Sequence, residues 1–237
     1  MPLPVAVLII VAVPYLAGYF IGSIPFGLLL SRLAGHGDVR ATGSGNIGAT
    51  NVLRHAGKFL GGLTLVLDLL KGTAGVLAGS YLFHVMMAHN PVPPFDTVEN
   101  VTLFGSALGG IGAFLGHLYP VWLRFQGGKG VATLIGVLLG FDWRLAAAFC
   151  ATWLATALIG RISSLSALVA TALVLLGAWL AKPLVIALVL SVMSLLVFYR
   201  HSDNIRRLRT GEEPKIGARD TKRQTKGQTG ESSGTKG

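Results

Sequence analysis

Apolar residues run through this chain in blocks too long for the interior of a small soluble domain. The first block, 3–30, contains no charged residue. Further blocks occupy 60–87, 101–119, 130–141, 143–160, 164–181 and 183–199. A helix needs ~20 mainly apolar residues to cross the hydrocarbon of a bilayer. The pattern therefore predicts an all-α polytopic membrane protein with about seven transmembrane helices. The first block is too long for a signal-peptide core and follows no basic stretch, so it reads as a retained span. The fourth block is short and is entered through glycines. It leaves six spans plus a re-entrant hairpin as the alternative.

Composition agrees with this reading. The 237 residues are 52% apolar and 13% charged, against roughly 25% charged in a soluble domain. The formal net charge of +10 would suggest nucleic acid in a soluble protein. In a membrane protein it points to loop topology, anionic headgroups or an anionic substrate, with no nucleic acid. With seven alternating spans, the connections 31–59, 120–129, 161–163 and 200–237 form one set. They hold Arg32, Arg40, Arg54, Lys58, Arg124, Lys129, Arg161 and ten further Lys and Arg. The opposite set has only Arg144 and Lys182, beside Asp96, Glu99 and Asp142. The positive-inside rule then puts the N-terminus outside and the C-terminus in the cytoplasm. An even number of spans would spoil that partition. Residues 1–217 read as a single integral-membrane domain, and the basic tail 218–237, without an aromatic residue, reads as disordered. The single cysteine, Cys150, excludes an intrachain disulfide and reads as a packing residue in an apolar run.

Informative polar residues collect on the side assigned to the cytoplasm. Gly43, Gly45 and Gly48 spell GxGxxG, but a membrane span rather than a strand precedes them, so a dinucleotide fold is rejected. Glycines still let backbone amides approach an anion. Ser44, Asn46, Thr50 and Asn51 add neutral donors, and a helix starting near Gly48 would aim its positive end at the site. Arg54 adds a fork suited to phosphate. A second segment, Gly127-Gly-Lys-Gly130, resembles part of a phosphate loop without being a Walker A motif, because Lys129 is followed by Gly130. Tyr119 and Trp122 read as interfacial anchors. His201, Asn204 and Arg207 recur every three residues and share a helix face. Asp68 and Lys71, three apart inside the second block, fit a self-neutralising ion pair or a site. His84 and His89 read as interfacial, and Ser164, near the start of the sixth block, as a helix cap. A flexible loop, a tight turn and a solvated basic helix end are the plain alternatives for the three polar segments.

No histidine is followed by Asp after four intervening residues, no GxSxG occurs, and no Cys or His cluster has metal-ligand spacing. The residues thus show no covalent or metal route.

In this order the segments resemble the bacterial acyl-phosphate:glycerol-3-phosphate acyltransferases, the PlsY family. The resemblance is carried by Gly22-Ser-Ile-Pro-Phe-Gly27, the stretch from Gly43 to Asn51 with Arg54, Asp68-Leu-Leu-Lys-Gly72, Gly116-His-Leu-Tyr-Pro120, and Gly127 to Thr133. His201, Asn204, Ile205, Arg207, Leu208, Gly211, Glu213 and Lys215 complete it. It implies transfer of a fatty acyl group from acyl phosphate to the 1-hydroxyl of sn-glycerol 3-phosphate, giving lysophosphatidic acid and phosphate. This is the first acylation of phospholipid synthesis. It implies a bacterial cytoplasmic (inner) membrane enzyme with its active site on the cytoplasmic face and no cofactor. Its partners would be the two substrates, membrane lipid and an upstream acyl-phosphate-making enzyme. His201, Asn204, Ser44 and Arg54 are expected to act in catalysis. Gly43, Gly45, Asn46, Gly48, Thr50, Asn51, Gly127, Gly128, Lys129, Gly130, Ser164 and Arg207 are expected to bind substrate. Either His201 or a substrate phosphate oxygen takes the hydroxyl proton. The competing class is a transporter of an organic phosphate.

Overall fold

A computed structural model describes residues 3–89 and 97–217. The tail 218–237 and residues 90–96, with Asp96, lie outside them. Every described element is a helix or a turn. Helices α1 (Leu3–Gly22) and α2 (Phe26–Leu33) divide the first apolar block. They are followed by α3 (Ala49–His89), α4 (Val98–Leu118), α5 (Val131–Phe141), α6 (Trp143–Gly160), α7 (Ser163–Ala181), α8 (Leu184–Arg200) and α9 (Ser202–Thr210). By length and composition five segments could cross a membrane: Pro4–Leu33, Ala49–His89, Val98–Leu123, Trp143–Gly160 and Ser163–Ala181. A sixth arises if α8 and α9, which meet at 56°, count as one span.

Each break has a local cause. Pro25 has no N–H to donate into a continuing helix, and the helix is interrupted there between α1 and α2. At the break the Ile24 carbonyl accepts from the Phe26 amide at 3.1 Å and from Lys71 Nζ at 2.8 Å. Helix α3 kinks at Gly57, whose φ of 90° and ψ of 176° are open to glycine. The first turns of α3 thus run at an angle to the long apolar remainder.

Helix α4 lies between α1 and α3, and glycine brings the backbones together. A Cβ on Gly109 would stand 2.1 Å from the Gly75 carbonyl oxygen, and one on Gly112 would stand 2.3 Å from that of Tyr15. Association of apolar helices in lipid relies on such close approach, because burial from water contributes little there. Helix α5 packs on α3 in the same way, with Gly136 against the Leu69 carbonyl. The core then fills with Val76, Phe114, Leu134, Leu138, Phe149, Val174 and Met193 from six helices.

Helix α5 has 11 residues, about 16 Å at 1.5 Å per residue. Its far end is level with the far end of α7, because Asp142 pairs with Lys182 just beyond them. Its near end is recessed, because Gly130 caps it inside a cavity. The shortness of the fourth block therefore marks the depth of that recess. At the far end of α3, His84 bonds Thr102 of α4 at 2.9 Å.

The glycine contacts make a stability prediction. Gly109→Val is expected to lower stability by on the order of 3 kcal/mol, read as a loss of folded protein or a lower Tm in detergent. Gly177→Ala, where a Cβ meets nothing within 4 Å, should leave Tm unchanged or slightly raised. Equal stability of the two variants would contradict the packing account.

Candidate active site

A cavity of about 310 Å³ opens where α3, α5, α6, α7 and α9 converge. Its lining is part polar and part apolar. Leu65, Val131, Ala132, Ile135, Trp153 and Ala167 supply the apolar part, together with Cys150. Cys150 is exposed and borders the cavity, rather than being packed as expected.

The loop before α3 is held from within by Asn51. Its Nδ2 donates to the carbonyls of Val39, Thr42 and Asn46 at 2.9, 3.1 and 2.8 Å. Its Oδ1 accepts from the Ser44 amide at 3.1 Å. The amide group is thus engaged in shaping the loop. Gly43 and Gly45 have φ of 58° and 68° and turn the chain, and a Cβ on Gly43 would sit 2.4 Å from Asn51 Oδ1. The Gly45 amide donates to the Thr42 carbonyl and the Gly48 amide to Asn46 Oδ1. What reaches the cavity is Ser44, Asn46, Gly48 and the N-terminal turn of α3 with Thr50, Asn51 and Arg54. The leading amides of a helix have no partner within it, and they point this positive end outward.

The second glycine segment folds back on α4. Gly127 and Gly128 donate their amides to the Leu118 and His117 carbonyls, both at 3.0 Å. Their own carbonyls accept from Arg200 Nη2 at 2.8 Å and Nε at 3.2 Å. A Cβ on Gly127 would stand 2.1 Å from the His117 carbonyl oxygen. These two glycines are present for close approach, and their amides are occupied. Gly43, Gly45, Gly127 and Gly128, expected as anion ligands, therefore do not border the cavity, whereas every other residue of the expected set does. Lys129, between the glycines, is the group the turn presents.

Lys129 Nζ donates to Asn204 Oδ1. Asn204 Nδ2 donates to Glu213 Oε1 at 2.5 Å. The same carboxylate accepts from Ser164 Oγ at 2.6 Å and from Arg207 Nε at 2.7 Å. Ser164 is thus bound to Glu213 and caps nothing, since Ile162 holds the N-cap position of α7. The strap after α9 carries Glu213 into place. Ile216 closes it by donating its amide to the Arg161 carbonyl at 2.6 Å. Burial raises the Glu213 carboxyl, but the donors from Ser164, Asn204 and Arg207 outweigh it and hold the carboxyl below its usual range. Burial pushes Lys129 down to about 8.

His201 stands at the break between α8 and α9. Its Nδ1 lies 2.8 Å from the Val197 carbonyl, which can only accept, so the proton is on Nδ1. Burial pushes this imidazole down to about 4, although that hydrogen bond opposes the shift. At neutral pH His201 is uncharged.

Besides Glu213 and Cys150, the ionisable groups Asp68 and His117 also border the cavity from outside the expected set. Asp68 is paired with Lys71 at 2.7 Å. The charge balance at the site then becomes simple. Asp68 is neutralised by Lys71 and Glu213 by Arg207. Among the described residues, Arg54 and Lys129 border the cavity with no carboxylate in contact. Two uncompensated cations beside a helix N-terminus can hold a dianion.

A family model described as glycerol-3-phosphate acyltransferase matches residues 12–211. The glycerol-3-phosphate acyltransferase of Bradyrhizobium diazoefficiens is 48% identical over 215 residues, 91% of this chain and 96% of that protein. That of Brucella canis is 50% identical over 202 residues, 85% of this chain and 91% of its own length. The crystal structure of PlsY (YgiH), an integral membrane glycerol 3-phosphate acyltransferase, is similar in its glycerol 3-phosphate form with a TM-score of 0.73 at 35% identity. That alignment covers 87% of this chain and 96% of PlsY. The lysophosphatidic acid form gives 0.71 at 34% identity, covering 87% and 95%. The chain therefore belongs to the glycerol-3-phosphate acyltransferase family of integral membrane proteins.

Proposed function

We propose that the protein transfers a fatty acyl group from acyl phosphate to the 1-hydroxyl of sn-glycerol 3-phosphate, releasing lysophosphatidic acid and inorganic phosphate in the first acylation of phospholipid synthesis. The observation that carries this reading is the pair of uncompensated cations, Arg54 and Lys129, in a cavity that is also lined by apolar side chains. Such a cavity suits both a phosphate and an acyl chain.

In this reading the loop of Ser44, Asn46, Gly48 and Thr50, with the start of α3, receives the donor phosphate. Lys129, Arg54, His201 and Asn204 hold glycerol 3-phosphate, with Ser164 and Arg207 behind them. The hydroxyl oxygen attacks the acyl carbonyl carbon, the anhydride C–O bond breaks, and its electron pair leaves with phosphate. The hydroxyl proton passes to a phosphate oxygen. A phosphate with a second pKa of about 6 is better matched to neutral pH than His201, held near 4. Acyl phosphate is already activated, so orientation and charge stabilisation supply the acceleration and no acyl-enzyme is required.

The placement goes with the chemistry. The polar ends of α4, α5, α7 and α8 meet at one cavity, which fits seven crossings, an outside N-terminus and a cytoplasmic active site in the bacterial inner membrane. An enzyme that makes acyl phosphate is the implied upstream partner.

Two experiments test the reading. Purified protein in detergent, given acyl phosphate and labelled glycerol 3-phosphate, should form labelled lysophosphatidic acid, and acyl-CoA should give none. Product from acyl-CoA would remove the donor assignment, and no product from either donor would favour an organic-phosphate transporter. The second concerns Lys129, which is charged below about 8 and neutral above it. The substrate phosphate is fully dianionic across that window. KM for glycerol 3-phosphate should therefore be flat near pH 7 and rise above pH 8, and Lys129→Arg should keep it flat. A wild-type KM independent of pH from 7 to 9.5 would take Lys129 out of the site.

A further inference from the structure

Asp68 and His117 have no part in the phosphate binding described above, yet both border the cavity. They are 2% and 3% exposed. Ionisable groups inside apolar helices are expensive to bury and ordinarily serve a purpose there. Lys71 pairs with Asp68 and donates to the Ile24 carbonyl, so the carboxylate is fixed and its charge is neutralised. Asp68 Oδ1 also lies 3.7 Å from His117 Nδ1, a sealed atom that makes no hydrogen bond. The facing carboxylate favours the proton on Nδ1, and that tautomer leaves the lone pair on the other nitrogen.

Gly128 packs closely against that other nitrogen, Nε2, and leaves it room only because glycine has no side chain. A Cβ at position 128 would stand 2.0 Å from it. His117 lines the cavity, and of its two ring nitrogens Nδ1 is sealed without a partner whereas Nε2 is not. The cavity thus contains a neutral, oriented hydrogen-bond acceptor whose natural partner is an O–H group. Ionised phosphate oxygens and an acyl chain offer no such donor, but glycerol hydroxyls do.

We propose that His117, oriented by Asp68, binds the secondary hydroxyl of the glycerol phosphate acceptor and so determines that the primary hydroxyl is acylated. The inference rests on the acyl-transfer reading given above. The primary hydroxyl loses its proton in the reaction. The secondary hydroxyl keeps its proton, so an acceptor bound to it stays satisfied in both substrate and product, as a buried polar atom requires. Lys129 follows Gly128 directly, so recognition of hydroxyl and of phosphate is built on one turn.

The test compares two acceptors with acyl phosphate as donor: glycerol 3-phosphate and 3-hydroxypropyl phosphate, which lacks the secondary hydroxyl. Wild-type kcat/KM should fall about tenfold to a hundredfold for the second acceptor, the effect of leaving a buried acceptor unpaired. In His117→Phe the ratio should fall to within about threefold of one. A purely structural role would lower both acceptors together and preserve the ratio. Equal use of both acceptors by the wild type overturns the proposal, and that comparison decides the matter even if His117→Phe does not fold. Undiminished discrimination in His117→Phe also overturns it. Failure of the wild type to acylate glycerol 3-phosphate would remove the acyl-transfer reading itself and is distinct from both.

Discussion

The polar part of the cavity lining depends on one chain of hydrogen bonds, from Lys129 through Asn204 to the carboxylate of Glu213. These residues come from three separate segments: the turn before α5, helix α9 and the strap that follows it. Ser164 of α7 and Arg207 of α9 end on the same carboxylate. Glu213 thus serves as a common acceptor that aims three donors and balances Arg207, leaving Lys129 and Arg54 in excess. Without a carboxylate at that point, Ser164, Asn204 and Arg207 would lose their shared acceptor where burial makes unpaired groups costly. The strap therefore completes the site, although it is the last described segment of the chain.

The same constraint explains the recess. Groups that open into apolar surroundings must be satisfied within the protein. Arg200 satisfies the carbonyls of Gly127 and Gly128, Lys71 bonds the Ile24 carbonyl at the break between α1 and α2, and Asn51 satisfies three carbonyls of the first loop. With these local demands met, α5 can begin well below the mouth. A cavity with a part polar, part apolar lining then forms among apolar helices.

Much of this architecture is legible in the order of residues. The apolar blocks at 143–160, 164–181 and 183–199 coincide with α6, α7 and α8 to within a residue or so, because long uninterrupted apolar runs have one stable backbone state in lipid. The His201, Asn204 and Arg207 spacing placed all three on the cavity side. The glycines were harder to read. Composition says that backbone can come close at glycine, but not to what. Gly127 and Gly128 approach α4 rather than an anion, and Gly43 and Gly45 turn around Asn51. The meeting of His117 with Asp68 was also hidden, since it joins residues 49 apart through helix packing. Glu213 belonged to a recognisable motif, but its role depends on a strap folding back over α7, which no local pattern encodes.

The central claim is that the uncompensated charges of Arg54 and Lys129 define where the substrate phosphate sits. A structure of this protein with glycerol 3-phosphate bound tests it most directly. The account predicts phosphate density in the cavity, within hydrogen-bond distance of Lys129 Nζ and beside Arg54, with Glu213 still bound to Ser164 and Arg207. Phosphate density outside the cavity, or held without contact to either cation, would contradict it.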